Sequence, residues 1–452
     1  MPGTKTQRIR DPIHGLIVFR KKDDIDQLAW RLINTREFQR LRRIRQLGFS
    51  ELVFPGATHS RFAHSIGAYH LARRVIRIIR ERGEGRDEDR ERAALLAALL
   101  HDVGHGPFSH AFQEAAAEAG RPYKHEEKSA EIVQGDTEIR RCLEIGDQNL
   151  PNAIAAILRE EEAKDIYATV VSSQFDVDRL DYLQRDRLMT GVEFGHVDAE
   201  WLFDCLRVGT KTLGTAEETR TEQCLYLSPK GIRVAEEYLE ARFRLYAMVY
   251  MHKTTRAAEK MLGRLLTRLS KVRRDHADGR MDGLQGGLAT YFGRDRPTLE
   301  HYLALDDCVV VSQIARLRDA SDKILSDLAR RLSDRKLYKC FDLGDRLQQD
   351  SKDGSRRLRF HKILQDKSGQ GRGGVRLSDQ GTNSIYKWYE PSEHSALSMV
   401  LVKRSENDTE PTDIGSFSPI IRALRERESI ERLYVPHEDD LRTLEGAWEE
   451  SK

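Results

Sequence analysis

Three histidines and a carboxylate fall within ten residues in the stretch Leu99-Leu100-His101-Asp102-Val103-Gly104-His105-Gly106-Pro107-Phe108-Ser109-His110. Imidazole nitrogens with a carboxylate oxygen suit Fe, Mn, Zn or another divalent ion, and the remaining histidines can handle protons beside it. An isolated His-Asp pair usually does no more than end a helix. Two further histidines and helix-breaking glycines follow this one, which favours the metal reading. His101 and Asp102 then need a third and a fourth partner, and His64 is a candidate. Further on, Asp178, Tyr182 and Asp186 are spaced i, i+4 and i+8, so on a helix they share one face, with Arg179 beside them and Leu180 and Leu183 on another face. Such a face could wall a polar pocket or be an exposed, ion-paired helix surface.

These groups must be carried by helices. The apolar run Ala93 to Leu100 delivers His101 and Asp102, and the glycines and proline after them turn the chain back. Ser60 is a cap for a helix that opens Arg61-Phe62-Ala63-His64 and keeps Ile66, Leu71, Val75, Ile76 and Ile79 on one side until Arg80-Glu81-Arg82-Gly83. Residues 83–92 read as a charged surface connection. Upstream, Asp11-Pro12-Ile13-His14-Gly15 reads as a turn into the extended Leu16 to Phe19. Thr35 to Gln46 reads as an amphipathic helix with Phe38, Leu41 and Ile44 inside and Arg40, Arg42, Arg43 and Arg45 outside, a face that is usually solvated. Residues 130–168 read as packing helices. In Tyr238 to Lys253, Arg242, Tyr246 and Tyr250 recur every four residues as a polar-aromatic stripe.

At 452 residues the chain can hold a large domain and a smaller one. Lys+Arg number 75 against 73 Asp+Glu, a net +2 that argues against a strongly basic nucleic-acid coat. Five dispersed cysteines (Cys142, Cys205, Cys224, Cys308, Cys340) contain no CxxC pair, which fits reduced thiols. No stretch approaches the roughly 20 apolar residues of a membrane span, and no hydrophobic signal core opens the chain, so a cytoplasmic protein without a membrane partner is expected.

The order His64, His101-Asp102, Asp178 (H…HD…D), with the flanking blocks QLGFSELVFPGATHSRFAHSIG, HDVGHGPFSHAF, DVDRLDYLQRD and the N-terminal DPIHG, resembles the HD-superfamily deoxynucleoside triphosphate triphosphohydrolases over roughly residues 5–340. That resemblance implies a mainly α fold, an HD-domain helical bundle around one metal with a smaller mixed α/β C-terminal region. It divides the chain into 1–290 (HD phosphohydrolase domain), 291–349 (helical extension) and 350–452 (C-terminal region with a basic loop). It makes His64, His101, Asp102 and Asp178 ligands of a divalent ion (Fe, Mn, Zn, Ni or Mg), and His105, His110 and His125 the catalytic histidines, with His110 protonating the leaving 5′-oxygen. Arg61 and Arg179 match triphosphate contacts, Tyr182 the residue that packs on the sugar, and Asp186 a 3′-hydroxyl ligand. Arg242 and Tyr250 lie on the helix matching the one that closes the nucleotide pocket. The implied reaction is water attack on the α-phosphorus, releasing deoxynucleoside and intact triphosphate, in a homo-oligomer (dimer or tetramer).

Several positions depart from that pattern. Gln113 stands where relatives usually carry an acid, leaving Glu114 or the pair His105 and His125 for the proton work. Asn34 replaces a guanine-reading aspartate, and Gln7 and Arg10 also differ from effector-site residues, whereas Gln39 and Arg42 match; an effector site of altered specificity at Asn34, Gln39 and Arg42 is the resulting expectation. Met251 replaces a glutamine near the base. Downstream, residues 291–340 look helical, with LSDLARRLSDRKLYKCF as one packed helix. Residues 350–382 look like a basic loop, solvated rather than nucleic-acid-bound. Ser384 to Tyr389, Ala396 to Val402 and the stretch near Leu433-Tyr434-Val435 look like strands, and Pro419 to Arg425 like a short helix. The rival functions are an HD-type phosphodiesterase or nuclease acting on single strands, and a nucleotide-sensing regulatory subunit.

Overall fold

A computed structural model describes residues 5–83, 85–160, 162–214, 219–275, 286–292, 297–349, 355–367, 376–383, 395–424 and 428–452. The N-terminus is an antiparallel hairpin, β1 (Gln7–Asp11) and β2 (Gly15–Phe19), closed by the DPIHG turn. There follow α1 (Asp24–Ile33), α2 (Arg36–Arg40), α3 (Arg61–Arg82), α4 (Glu88–Leu100), α5 (His110–Glu118), α6 (His125–Gln134), α7 (Glu138–Leu143), α8 (Leu150–Arg159), α9 (Val177–Thr190) and α10 (Ala199–Cys205). A β-hairpin, β3 (Leu206–Gly214) and β4 (Thr219–Leu227), leads into α11 (Ile232–Leu245) and α12 (Lys253–Asp275). The fold is mainly α, as the motif pattern implies. The hairpin in its middle was not foreseen.

The core centres on α3, α4 and α9. From α3, Ile66, Leu71, Val75, Ile76 and Ile79 are all buried, and α4 buries every residue from Ala93 to Leu100. Fully burying one such aliphatic side chain contributes about 1.5–3 kcal/mol, and the two helices bring the His64 end of one beside the His101 end of the other. Two close approaches depend on glycine. A Cβ on Gly67 would sit 1.8 Å from Asp181 Oδ1, and one on Gly104 would sit 2.3 Å from both the His125 carbonyl and the Ser129 amide. These glycines let α9 and α6 reach the ligand-bearing turns.

Several local expectations are corrected. Thr35 to Gln46 is not one helix: α2 ends at Arg40 and a 3₁₀ turn covers Leu41–Arg43. Arg40 is buried rather than solvated, its guanidinium donating to the Leu305 carbonyl at 2.7 Å and the Val103 carbonyl at 3.3 Å. Residues 83–92 are not all connection, since α4 begins at Glu88 and Glu91 is buried against Arg80 and Arg86. Ser60 holds the N-cap position of α3 without a side-chain cap bond.

In the C-terminal part come α13 (Gly287–Phe292), α14 (Leu299–Leu303), α15 (Asp307–Leu317), α16 (Lys323–Ser333), α17 (Leu343–Gln349) and α18 (Arg356–Lys367), with β5 (Lys339–Asp342) between α16 and α17. LSDLARRLSDRKLYKCF is therefore divided, because Arg335 takes a left-handed conformation (φ 54°) and the chain leaves as β5. Within the expected basic loop, α18 forms because Phe360 and Leu364 bury one turn apart against a core containing Trp448. The rest of the chain holds β6 (Leu377–Asn383), β7 (Leu401–Val402), β8 (Thr412–Asp413), α19 (Pro419–Ala423), β9 (Glu428–Val435) and α20 (Glu438–Glu450). β5, β9 and β6 form one sheet, and β3, β4, β7 and β8 another. Ala396 to Val402 is only partly strand: a 3₁₀ turn at Ala396–Ser398, anchored by Glu222, precedes β7. Ser384 to Tyr389 lies outside the described residues. Among the described residues no helix is long and apolar enough to cross a membrane.

His70, on α3, carries a pH signature of this packing. Burial, with His14, Arg73 and Arg74 nearby, pushes its imidazole down to about 4. The folded state keeps His70 neutral while the unfolded chain takes a proton below about 6.5, so its contribution is complete above about 6.5 and is lost as pH falls towards about 4. Wild type is expected to lose about 1–2 kcal/mol more stability than His70→Asn across that interval, allowing for solvent screening at a partly exposed ring. Urea unfolding at the two ends of the interval measures the difference, and equal losses would contradict it.

Candidate metal centre and cleft

The first turn of α3, the C-terminal end of α4 and the first turn of α9 converge. His64 Nε2 faces His101 Nε2 at 3.1 Å, and Asp178 Oδ1 lies 2.9 Å from the former and 3.5 Å from the latter. Donor atoms of these three residues all lie within 4.8 Å of one another. Asp102 adjoins them, with Oδ1 3.5 Å from His101 Nε2 and Oδ2 3.8 Å from His64 Nε2. The far nitrogens test whether a cation fits. His64 Nδ1 is 2.8 Å from Asp181 Oδ2, and His101 Nδ1 is 2.9 Å from the Ala98 carbonyl. An ionised carboxylate and a carbonyl only accept, so both Nδ1 atoms carry hydrogen, and in the neutral rings both Nε2 atoms present lone pairs. Two lone pairs facing each other at 3.1 Å call for a positive charge between them. A proton on Nε2 answers the same demand: burial pushes the His64 imidazole down, but hydrogen bonds to Asp178 and Asp181 outweigh it and raise it to about 10, so the pocket favours a positive charge, as proton or as metal ion. His64 is sealed, whereas a third of the Asp178 side chain (33%) is open.

Asp102 also fixes the neighbouring machinery. Arg61 Nη1 donates to its Oδ2 at 2.7 Å, and His105 Nε2 is 3.2 Å from Oδ1. Burial pushes this carboxyl up, but Arg61, His101 and His105 more than offset it and hold it well below the usual range. Arg61 also donates to Ser109 Oγ. Phe108 and Ser109 both have left-handed backbones (φ 51° and 47°), a strained turn that launches α5 at His110. Asp307 clamps this turn by accepting from the Phe108 amide at 2.8 Å and the Arg45 amide at 2.9 Å, and burial raises its carboxyl to about 6. His105 stacks on His125 at 3.9 Å between centroids, and His110 lies 6.2 Å from His105. Enclosure lowers all three imidazoles, His110 to about 4, so they rest neutral at pH 7.

His101, His110, His125, Asp178, Arg179 and Arg242 line one cleft of about 540 Å³, with Lys124, Arg159 and Gln113. Arg179 pairs with Asp176 and donates to the Ser173 carbonyl at 2.8 Å. Among the described residues its Nε and the Nη1 of Arg242 are buried without a hydrogen-bond partner. Glu114 does not join this cleft; its carboxylate holds Lys260 at 2.5 Å. Arg61, Tyr182, Asp186 and Tyr250 are also absent from the lining. Asp186 is buried with both oxygens engaged, by His59 at 2.8 Å and the Tyr250 hydroxyl at 2.7 Å. Tyr250 reaches it because α11 passes into a π-helical turn over Tyr246–Tyr250, which breaks the four-residue stripe. Tyr182 packs 6.4 Å from the His64 ring and 6.0 Å from that of Tyr250.

Away from the cleft, Gln39 accepts from Arg42 Nε at 2.8 Å and donates to the Ile33 carbonyl at 2.7 Å, while Asn34 donates to the Trp30 carbonyl at 2.7 Å. The three expected effector residues thus meet at one corner of α1 and α2. Sequence reasoning passed over Asp181, although it lies one turn beyond Asp178, and Asp307, which carries no motif.

The sequence matches the HD domain over residues 61–186 and an HD associated region over residues 216–285. An uncharacterised protein of Bacillus subtilis is 37% identical over 330 residues, 73% of this chain and 70% of that protein. A Dictyostelium discoideum protein named as a homologue of the deoxynucleoside triphosphate triphosphohydrolase SAMHD1 is 32% identical over 268 residues, 57% of this chain but only 48% of that protein. The chain therefore spans about half the length of that relative. The crystal structure of a phosphohydrolase from Bacteroides thetaiotaomicron superposes with a TM-score of 0.73 at 26% identity, covering 96% of this chain and all of that one.

Proposed function

The chain belongs to the HD-domain family of metal-dependent phosphohydrolases, and on that premise we propose that it hydrolyses deoxynucleoside triphosphates to deoxynucleoside and inorganic triphosphate. The observation that carries the reading is the pair of buried, unpartnered donors, Arg179 Nε and Arg242 Nη1, in the cleft that opens on Asp178 and His101. Unsatisfied buried guanidinium N–H groups are costly unless an anion meets them, and planar forks suit phosphate oxygens.

His64, His101, Asp102 and Asp178 would hold the divalent ion. Bound there, such an ion supplies Lewis-acid polarisation of a phosphoryl oxygen and a water of lowered pKa. Arg179 and Arg242, with Lys124 at the rim, bind and orient the triphosphate and offset charge that builds up in transit. His105 and His125, neutral at rest, accept the proton of the attacking water. His110 gains its proton when the anion occupies the cleft beside it, and passes it to the leaving 5′-oxygen. Tyr182 packs on the sugar. Asp186 can take a 3′-hydroxyl only by sharing its carboxylate with Tyr250 and His59. Self-association and a nucleotide effector at Asn34, Gln39 and Arg42 belong to the same proposal.

Chromatography of products from the four deoxynucleoside triphosphates, supplied singly and mixed with Mn²⁺ or Mg²⁺, tests it. Deoxynucleoside plus intact triphosphate is expected, and turnover confined to mixtures would reveal the effector site. Release of monophosphate or degradation of a single-stranded oligonucleotide instead would overturn the proposal.

A further inference from the structure

The DPIHG turn lies about 50 residues before the matched HD domain begins at residue 61, and nothing in the proposed chemistry uses it. It is nonetheless packed against the metal centre. His14 Nε2 lies 2.6 Å from Asp181 Oδ1, and the other oxygen of the same carboxylate holds His64 Nδ1 at 2.8 Å. Arg185 bridges from the opposite side, donating to both Asp181 oxygens (2.8 and 2.9 Å) and to Asp11 Oδ2 at 2.9 Å. Asp11 Oδ1 closes the circuit by accepting from the Ile13 and His14 amides at 2.9 and 3.0 Å, which sets the turn that aims His14. Every side chain of the network is nearly or fully enclosed, Asp181 and His64 completely so.

We infer that this hairpin turn is a built part of the metal centre, in which His14, acting through Asp181, fixes the tautomer and ring orientation of His64. Three features carry the inference together. Asp181 is absent from the lining of the 540 Å³ cleft, and among the described residues its carboxylate binds only His14, His64 and Arg185, so it serves to place the histidine. Gly67, in mid-helix on α3, leaves the space in which that carboxylate sits. Arg185 is a buried cation whose charge is shared between Asp181 and Asp11, so the hairpin and α9 share one ion network. With His14 and Arg185 saturating Asp181, its carboxylate cannot turn away from His64 Nδ1, and Nε2 stays aimed at the ion. His14 is thus a positioning residue, and second-sphere partners of this kind typically change metal affinity 10- to 100-fold.

This rests on the assignment of His64, His101 and Asp178 as ligands, so the test includes a ligand variant. Mn²⁺ is titrated into metal-stripped full-length protein, with free Mn²⁺ read by electron paramagnetic resonance and folding followed by thermal melting. Asp178→Ala is expected to abolish tight binding. His14→Ala is expected to weaken it roughly 10- to 100-fold, and His14→Gln, which keeps an N–H donor near the Nε2 position, to recover most of the loss. Asp11→Asn, which keeps the acceptor for the turn amides but loses the charge facing Arg185, shifts affinity in the same direction and stands in if His14→Ala does not fold. Unchanged Mn²⁺ affinity in both His14→Ala and Asp11→Asn, or a His14→Gln as weak as His14→Ala, would overturn the inference while leaving the metal centre standing. Tight binding by Asp178→Ala would instead overturn the ligand assignment itself.

Discussion

Asp178→Ala is expected to lower turnover by roughly a thousandfold or more, about 4 kcal/mol of transition-state stabilisation, together with loss of bound metal. Asp178 is the most open member of the cluster, and its Oδ1 is near both Nε2 atoms. Its carboxyl is held well below the usual range: burial alone would raise it, but His101 and His64 hydrogen bonds prevail. Alanine therefore removes the negative charge nearest His64 Nε2 and leaves the two imidazoles facing only the Asp102 oxygens at 3.5 and 3.8 Å among the described residues. The fold should survive, because His64 and His101 keep their Nδ1 bonds to Asp181 and Ala98. Metal content by plasma mass spectrometry and steady-state turnover measured on one preparation check the prediction, and a metal-replete or fully active variant would refute it. Asp102→Ala makes a less clean comparison, because it also strands the buried Arg61 guanidinium.

The parts of this centre that were legible in the sequence are those fixed by local spacing. His64 near the start of an apolar-faced helix, His101-Asp102 at the end of another and Asp178 one turn above Tyr182 each follow from helical period and cap chemistry, and the family blocks order them. What stayed hidden depends on distant partners. Arg40 sits in a run of arginines that reads as solvated, yet carbonyls 63 and 265 residues away bury it. His14 and Asp181 are 167 residues apart, and Asp307 and the Phe108 amide 199 apart, so no window of sequence contains either pair. Composition misled in the other direction at 356–367, where Arg and Lys outnumber the apolar residues but Phe360 and Leu364 suffice to dock a helix on the Trp448 core. The π-helical turn at 246–250 had no signal at all, since Tyr246 and Tyr250 fit a regular stripe equally well.

Arg242→Ala separates binding of the phosphates from the rest of the chemistry. Arg242 comes from α11, and its Nη1 is buried beside the cleft with no acceptor among the described residues. Deleting it removes an unsatisfied donor, so stability should hold or rise slightly. A charge-assisted hydrogen bond to a phosphate oxygen contributes about 1.5–3 kcal/mol, so KM should rise roughly 10- to 100-fold. Any additional fall in kcat reports the part of the contact that strengthens as charge develops at phosphorus. Arg179→Ala should weaken binding as much but also cost stability, because Arg179 neutralises Asp176, whose side chain caps the α9 N-terminus. Burial already raises the Asp176 carboxyl to about 6 against the pull of Arg179, and without that cation it would rise further and cap less well. Because a phosphate contact is blind to the base, the KM change for Arg242→Ala should be equal across all four deoxynucleotides. A change confined to one base would place Arg242 against the base and move the triphosphate to Arg179 and Lys124, while no change in any KM would remove the triphosphate from this cleft.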